Sequence, residues 1–378
     1  MSPKTTWVFV VITAADGATG WGEATHFGAE QELGGLITGL AKSLADAPAD
    51  GANDLLARLA QFNMNFPRRA LCSALEQACL DLQAHQLSGR MLDLFGGAKR
   101  ATVPFYANIN RGISDRSPDG FARQAKNILE KTGARAVKIA PFDGLRWQLT
   151  DPSTQAQLIY AGLARVAAVR DALPPDVLLM VDCHARFNPF MAGQVMRELS
   201  SLNIYWIEEP CDMARLEASD QRALRHAANA NGMRLAGAET VTTLDEMVRL
   251  ISAGGHDVVL PDLRLTGVAD GMAMLRLAAD MNVGASIHNP VGPVLDAIST
   301  QIAAALPSFL ILERQVGETE IFDLLRGSQV RVSDGKVVLP DLPGFGFRPD
   351  TTYAEPLQTA HQPTAVSFVG MAGAGPDS

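Results

Sequence analysis

The sequence predicts an α/β fold: a (β/α)-barrel of the TIM type, in a modified form, with an α+β capping domain. That capping domain is built from the N-terminal segment and the C-terminal tail. Three observations carry this. The chain has 378 residues, enough for one barrel of about 250 residues and a smaller partner domain. From Val103 onward, short apolar runs alternate with helical patterns, as parallel βα units do. Before about Arg100 and after about Glu318 that alternation gives way to hairpin and helix signals.

In order, the capping segment opens with a strand over Trp7–Thr13, a turn at Asp16-Gly17 and a second strand over Thr19–Glu23. A glycine-containing loop (Thr25–Gly35) and helices over Leu36–Ala45, Asn53–Leu59 and Arg68–Leu87 follow, the last with Leu71, Leu75, Ala78 and Leu82 at helical spacing. Eight barrel strands are expected: Val103–Asn108, Arg135–Ala140, Val177–Asp182, Ile204–Glu208, Arg234–Glu239, Val258–Asp262, Val283–His288 and Phe309–Glu313. Helical patterns such as Leu158–Leu173, Met191–Ser201, Asp245–Ala253 and Val268–Met281 fill most of the gaps. Residues 1–102 thus form the capping domain, 103–318 the barrel, 319–361 the return to the cap, and 362–378 a Gly-, Pro- and Ala-rich tail expected to fray.

A hydrophobic share of 47% and a charged share of 19% fit a soluble globular enzyme. The net charge is −9 and no Lys/Arg run occurs, which argues against nucleic acid as a partner. No stretch approaches the roughly 20 apolar residues of a membrane span. Trp7–Ile12 is too short for a signal core and reads better as a strand. Cys72, Cys79, Cys183 and Cys211 lack zinc spacing and are too few for a disulfide scaffold. Free thiols in a reducing, cytoplasmic setting are expected, as is a homo-oligomeric assembly.

Chemistry concentrates at the strand ends, which converge on one face of a barrel. Asp182, Glu208 and Glu239 each close an apolar run, 26 and 31 residues apart. One such carboxylate alone is more often a helix cap or surface charge. Three in series are hard oxygen ligands for a divalent ion of the Mg2+ type. Of the adjacent pair Glu208-Glu209, alternation across a strand lets only one face the mouth, and Glu208 is taken as inward. The next two strands end in Asp262 and His288. A carboxylate bonded to one imidazole nitrogen fixes the tautomer and raises the basicity of the other, as a base beside a carboxylate requires. Without the metal set, a capping Asp and a core His would be the plainer reading. His184, two residues past Asp182, would share its face and could protonate a departing hydroxyl. Glu313 and Lys138 end two further strands and are candidates for contacting substrate. Together these groups suit removal of a proton next to a carboxylate, with a cation stabilising the enediolate.

The motifs Val181-Asp182, Trp206-Ile207-Glu208-Glu209-Pro210, Ala236-Gly237-Ala238-Glu239, Pro261-Asp262 and Ile287-His288-Asn289-Pro290 resemble the enolase superfamily. The similarity is to its mandelate racemase branch and to the galactonate-type acid-sugar dehydratases. It spans Gly20-Trp21-Gly22-Glu23 to about Gly346. The resemblance implies Asp182, Glu208 and Glu239 as Mg2+ ligands, Asp262–His288 as base dyad, His184 as general acid and Glu313 as a substrate or enediolate contact. It implies a hydro-lyase acting on a sugar acid or small α,β-dihydroxy carboxylic acid to give a 2-keto-3-deoxy acid. The alternatives are a racemase or epimerase using Lys138 and His288, and a degenerate, non-catalytic barrel. Two departures bear on this. Racemases and cycloisomerases of the group carry Lys-x-Lys where this chain has Lys138-Ile139-Ala140, which favours one-base elimination. The chain also begins where the family's second capping strand would stand, so an opening strand is expected to be lacking. The loop after Glu23, with Thr25, His26 and Phe27, resembles the family's lid.

Overall fold

A computed structural model describes residues 6–46, 54–55, 57–58, 64–326, 330–350, 352, 355–356 and 366–370. Of the helix expected over Asn53–Leu59, Asp54, Leu55, Ala57 and Arg58 are described and helical, and the other three positions lie outside the described residues.

The barrel is built from eight parallel strands: β3 (Thr102–Asn108), β4 (Ala136–Ile139), β5 (Leu178–Asp182), β6 (Ile204–Glu208), β7 (Arg234–Gly237), β8 (Val258–Val259), β9 (Gly284–Ile287) and β10 (Phe309–Gln315). Each pairs with the next, and β10 returns to pair with β3 in parallel, Leu312 opposite Phe105, which closes the ring. Several crossover helices start at a side-chain cap followed by proline, a pairing that satisfies a free N–H and presets φ. Ser117 caps α3 (Pro118–Thr132), Asp151 caps α4 (Pro152–Ala172) and Asn188 caps α5 (Pro189–Leu199). Further round the ring, α6 (Ala218–Ala230), α7 (Leu244–Ala253), α8 (Leu263–Thr266), α9 (Val268–Asp280) and α10 (Pro293–Ala305) complete the shell.

Inside the ring, Tyr106, Ala136, Met180, Trp206, Ala236, Val258, Leu260 and Ile311 form one packed apolar layer. Strand periodicity of two then dictates what lies above it. Two residues along from Tyr106, Ala136, Met180, Trp206, Leu260 and Ile311 stand Asn108, Lys138, Asp182, Glu208, Asp262 and Glu313. The apolar layer is therefore a dry floor beneath a ring of polar groups.

The capping domain comprises β1 (Val8–Thr13), β2 (Thr19–Glu23), α1 (Glu30–Asp46) and α2 (Phe66–Gln86). Helix α1 begins six residues before the expected Leu36, its first turn carrying Glu30 and Glu32, whose charge favours a helix N-terminus. Gly20 and Gly22 let α2 lie directly on β2, since a Cβ at either would come within 1.9 Å of the Ala78 or Ala74 carbonyl oxygen. The chain returns through α11 (Ile321–Arg326) and a hairpin, β11 (Arg331–Ser333) with β12 (Lys336–Val338), whose second strand pairs antiparallel with β3.

The expected frayed tail is corrected in part. Residues Val366–Gly370 form a strand, β14, antiparallel to β1, with the short β13 (Glu355–Pro356) beyond it, in the order β13-β14-β1-β2. The open edge of β1 needs partners for its N–H and C=O groups, and the extended-favouring stretch Val366-Ser367-Phe368-Val369 supplies them.

Two capping-domain carboxylates join the domains by capping barrel helices. Glu23 accepts from the N–H groups of Gly292 (2.6 Å) and Leu295 (3.0 Å) at the start of α10. Glu76, on α2, accepts from Val268 and Ala269 at the start of α9, both at 2.9 Å. Negative charge is favoured at helix N-termini, so each contact positions a barrel loop as well as fastening the cap. No helix among the described residues is long and apolar enough to cross a membrane.

Candidate active site

At the C-terminal mouth of the barrel lies a cavity of about 180 Å³, lined among others by Asn108, Arg111, Lys138, Asp182, His184 and His288. Asp182 and Glu208 sit opposite each other in register on β5 and β6. Glu208 points inward as expected, fully buried, and accepts from the indole Nε1 of Trp206 at 3.0 Å. Glu209 turns away to accept from the Ala238 N–H at 2.7 Å. Glu239 departs from its expected place. Strand β7 stops at Gly237, Ala238 takes φ +81°, and Glu239 is carried into the loop beyond the strand. Left-handed backbone also occurs at His184 (+47°), Ala185 (+54°) and Glu209 (+40°). Such conformations cost energy in non-glycine residues and cluster where a site holds side chains in set directions.

Each proposed ligand faces a protein cation. The Asp182 Oδ2 lies 2.9 Å from His184 Nε2, Glu208 Oε1 lies 2.5 Å from Lys138 Nζ, and Glu239 Oε2 lies 3.2 Å from His288 Nε2. Among the described residues no three acidic, His or Cys side chains converge on a single point. The donor set nevertheless fits a divalent cation. Asp182 and Glu208 are hard oxygen donors from two adjacent strand ends, and Glu239 is a third from the loop that follows the next strand. The buried Oε2 of Glu239 makes no hydrogen bond despite its nearness to His288. Five carboxylates crowd the mouth (Asp182, Glu208, Glu239, Asp262, Glu313), faced by the basic groups Lys138, Arg264, His184 and His288.

Lys138 is 1% exposed and lies 2.9 Å from Glu313 Oε1 and 3.8 Å from Asp182 Oδ2, besides its bond to Glu208. Burial works against its charge, but Glu208 and Glu313 outweigh that and hold its proton well above the usual lysine range. Glu313 also accepts from Asn108 Nδ2 (2.7 Å) and the Asn289 N–H (2.9 Å). Burial would raise its carboxyl, yet Lys138 and His288 keep it below the ordinary value.

Asp262 and His288 form the expected pair. His288 Nδ1 lies 3.0 Å from Asp262 Oδ2, and the two residues bridge in parallel just past β8 and β9. The capping role is real too, since Asp262 accepts from the Arg264 N–H at the start of α8, at 2.8 Å. Arg264 also grips the carboxylate through Nε, 3.0 Å from each oxygen, and through Nη2. This buried fork holds Asp262 ionised, and its Nη1 donates to the carbonyl of Thr25 in the lid loop (3.3 Å). Burial alone would lower the His288 imidazolium; Glu239, Glu313 and Asp262 together push it up to about 9.

His184 reaches the cavity for a different reason from the one expected. It lies in a left-handed turn after β5, so strand alternation does not orient it. Its N–H donates to Asp182 Oδ1 (2.9 Å), and the ring folds back onto the other oxygen. Asp182 raises the proton affinity of the imidazole. Arg264, Asn108, Asn289 and Gln315 were missed from the sequence. Gln315 stands two residues past Glu313 on β10, a spacing that signals a shared face, whereas Arg264 sits in the helix that Asp262 caps.

Beneath the mouth, His256 is buried with both ring nitrogens unpartnered, and burial drives its imidazolium down to about 4 from 6.5. Between those values the unfolded chain binds a proton that the fold refuses. This contribution to stability is therefore complete above pH about 6.5 and falls by about 3 kcal/mol as the pH drops to about 4. The expected result is that His256→Leu flattens the acid side of the stability curve by that amount in urea titrations. Superimposable wild-type and variant curves would remove His256 from the account.

Comparison with known proteins agrees with this geometry. Residues 120–353 match the family described as Enolase C-terminal domain-like, and residues 2–96 match the Mandelate racemase / muconate lactonizing enzyme, N-terminal domain. The chain is 32% identical over 285 residues to a D-gluconate dehydratase of Thermoproteus tenax, covering 75% of this chain but only 55% of that protein. It is 25% identical to a D-galactonate dehydratase of Variovorax paradoxus over 91% of this chain and 89% of the relative. A solved mandelate racemase/muconate lactonizing enzyme-like protein from Roseovarius sp. TM1035 superposes with a TM-score of 0.78 at 21% identity, over 92% of this chain and 89% of its own. The chain belongs to the mandelate racemase/muconate lactonizing enzyme branch of the enolase superfamily, the part of it that resembles acid-sugar dehydratases.

Proposed function

We propose that the protein is a metal-dependent hydro-lyase that dehydrates a sugar acid or another small α,β-dihydroxy carboxylic acid to a 2-keto-3-deoxy acid. The observation that carries the reading is the Asp262–His288 pair, whose second imidazole nitrogen turns toward the carboxylate cluster. Asp182, Glu208 and Glu239 would hold Mg2+, which when bound supplies electrostatic stabilisation of charge gathering on the substrate carboxylate.

His288 Nε2 removes the α-proton, while Asp262, itself locked by Arg264, keeps Nδ1 engaged and the ring oriented. The electron pair of the broken C–H bond becomes the double bond as the β C–O bond breaks. His184 delivers a proton to the departing hydroxyl, which leaves as water. The resulting enol takes a proton at the β-carbon and gives up its hydroxyl proton, becoming the ketone. Glu313, at 4.0 Å from His288 Nε2, and Lys138 border the place where the carboxylate lies. The lid loop, tied to Arg264 through Thr25, would exclude water from this step.

The racemase alternative needs a second base opposite His288. Lys138 suits that role poorly, because its proton is held by two buried carboxylates, and the next residue on its face is Ala140. The dyad, together with a cavity it borders, also speaks against a non-catalytic barrel. The test is incubation with Mg2+ and a panel of sugar acids in deuterated water, followed by proton NMR. A 2-keto-3-deoxy product from one acid is expected. Exchange of the α-proton with no loss of hydroxyl would replace this reading with the racemase one.

A further inference from the structure

Every polar side chain around the cavity is engaged with a neighbour in some way except one. Gln315 ends β10, is 5% exposed, lines the cavity, and has no hydrogen-bond partner for either its Nε2 or its Oε1. Its neighbours do not share this state. Asn108, opposite it in register, gives Nδ2 to Glu313 and takes the Asn110 N–H on its oxygen. Arg111 lies over the Phe27 ring at 4.3 Å and against Glu318 at 3.4 Å.

A buried amide with both ends unsatisfied is costly, so such a group at a site wall is a place where a ligand completes the bonding. We infer that Gln315 is a specificity-determining residue that binds a hydroxyl on the distal part of the substrate; this rests on the dehydratase reading. Three features select that ligand. Gln315 lies two residues beyond Glu313 on the same face, roughly 6 to 7 Å further toward the mouth, and so meets a part of the substrate beyond the reacting carbons. An amide that must both donate and accept is matched by a hydroxyl, which does both. A second carboxylate would satisfy only Nε2, set its charge against Oε1, and add to five carboxylates already at the mouth. An apolar end would satisfy neither atom. The site thus selects an acid with a neutral, hydroxylated far end over a diacid.

The experiment is isothermal titration calorimetry with Mg2+ in the His288→Asn protein, so that substrate is bound without being consumed. The probes are D-gluconate, D-galactonate, their diacids D-glucarate and galactarate, and the short acid D-glycerate. One hexonate should bind at least tenfold more tightly than its own diacid and than glycerate. Adding Gln315→Leu should weaken that hexonate at least tenfold and collapse its advantage over glycerate. Gln315→Glu, of the same shape but charged, should weaken it as well. Because the monoacid–diacid comparison uses no Gln315 variant, a folding defect at that position leaves the test decisive. Equal affinity for monoacid and diacid, unaltered binding in both Gln315 variants, or no hexonate binding at all would overturn the inference. These outcomes are separable from failure of the dehydratase reading. Selective binding without any dehydration by the wild type would sink that reading and leave the role of Gln315 intact, whereas dehydration unaffected by Gln315→Leu would do the reverse.

Discussion

Replacing His288 by asparagine is expected to lower turnover of the acid that the wild type dehydrates by about 10² to 10⁴-fold, the contribution of a general base. The amide can still bond to Asp262, so the mouth keeps its shape, but its nitrogen lone pair is delocalised into the carbonyl and cannot take a proton. Two further readouts separate loss of the base from loss of the site. Exchange of the α-proton with deuterated water should vanish together with dehydration. The rise in melting temperature on adding Mg2+ should persist, because ligand bound only by the folded state stabilises it by mass action. Turnover near the wild-type rate in this variant would end the assignment of His288. A lost Mg2+ response would instead show that the side chain supports the carboxylates.

The second large effect is on stability. Lys138→Met removes the cation that lies among Glu208, Glu313 and Asp182 in a setting almost without solvent. Methionine fills similar space, so little packing is lost, and the change isolates the charge. Breaking a buried ion pair by removing one partner typically costs about 3 to 5 kcal/mol, because the remaining charges are buried and uncompensated. A loss of that size in chelator-treated protein, measured by urea unfolding, is the expected result. Excess Mg2+ should restore part of it by offsetting the same carboxylates. A change below about 1 kcal/mol would mean that the carboxylates relax or take up protons, and that Lys138 is not their counterion. The outcome also bears on the racemase alternative, because a lysine needed this strongly as a cation is a poor base.

The sequence was most informative wherever the signal was local. Alternation of strands and helices, with Ser-Pro, Asp-Pro and Asn-Pro pairs at helix starts, is written in neighbouring residues. So is the rule that residues two apart share a face, which sets Asp182, Glu208, Asp262 and Glu313 above the apolar floor. The Asp262–His288 contact was legible for a related reason, since both residues close apolar runs that form adjacent parallel strands.

What the sequence left open depends on partners far apart along the chain. Whether Lys138 serves as a base or a counterion turns on side chains 70 and 175 residues away, Glu208 and Glu313. Glu239 looked like a strand-end residue and lies in a loop, because Ala238 adopts a left-handed conformation that nothing in its side chain requires. His184 was placed on the cavity by strand alternation but reaches it through a turn. Glu23 and Glu76 carry no signal of their role in the sequence, because the helix N-termini they cap lie some 190 to 270 residues away. The strand at Val366–Gly370 pairs with β1, more than 350 residues away along the chain. By itself, then, the sequence determined the barrel, its floor and which strand ends carry acid or base. Only the tertiary structure decided how those charges neutralise one another, because electrostatic pairing depends on distance in space, and periodicity along the chain fixes direction alone.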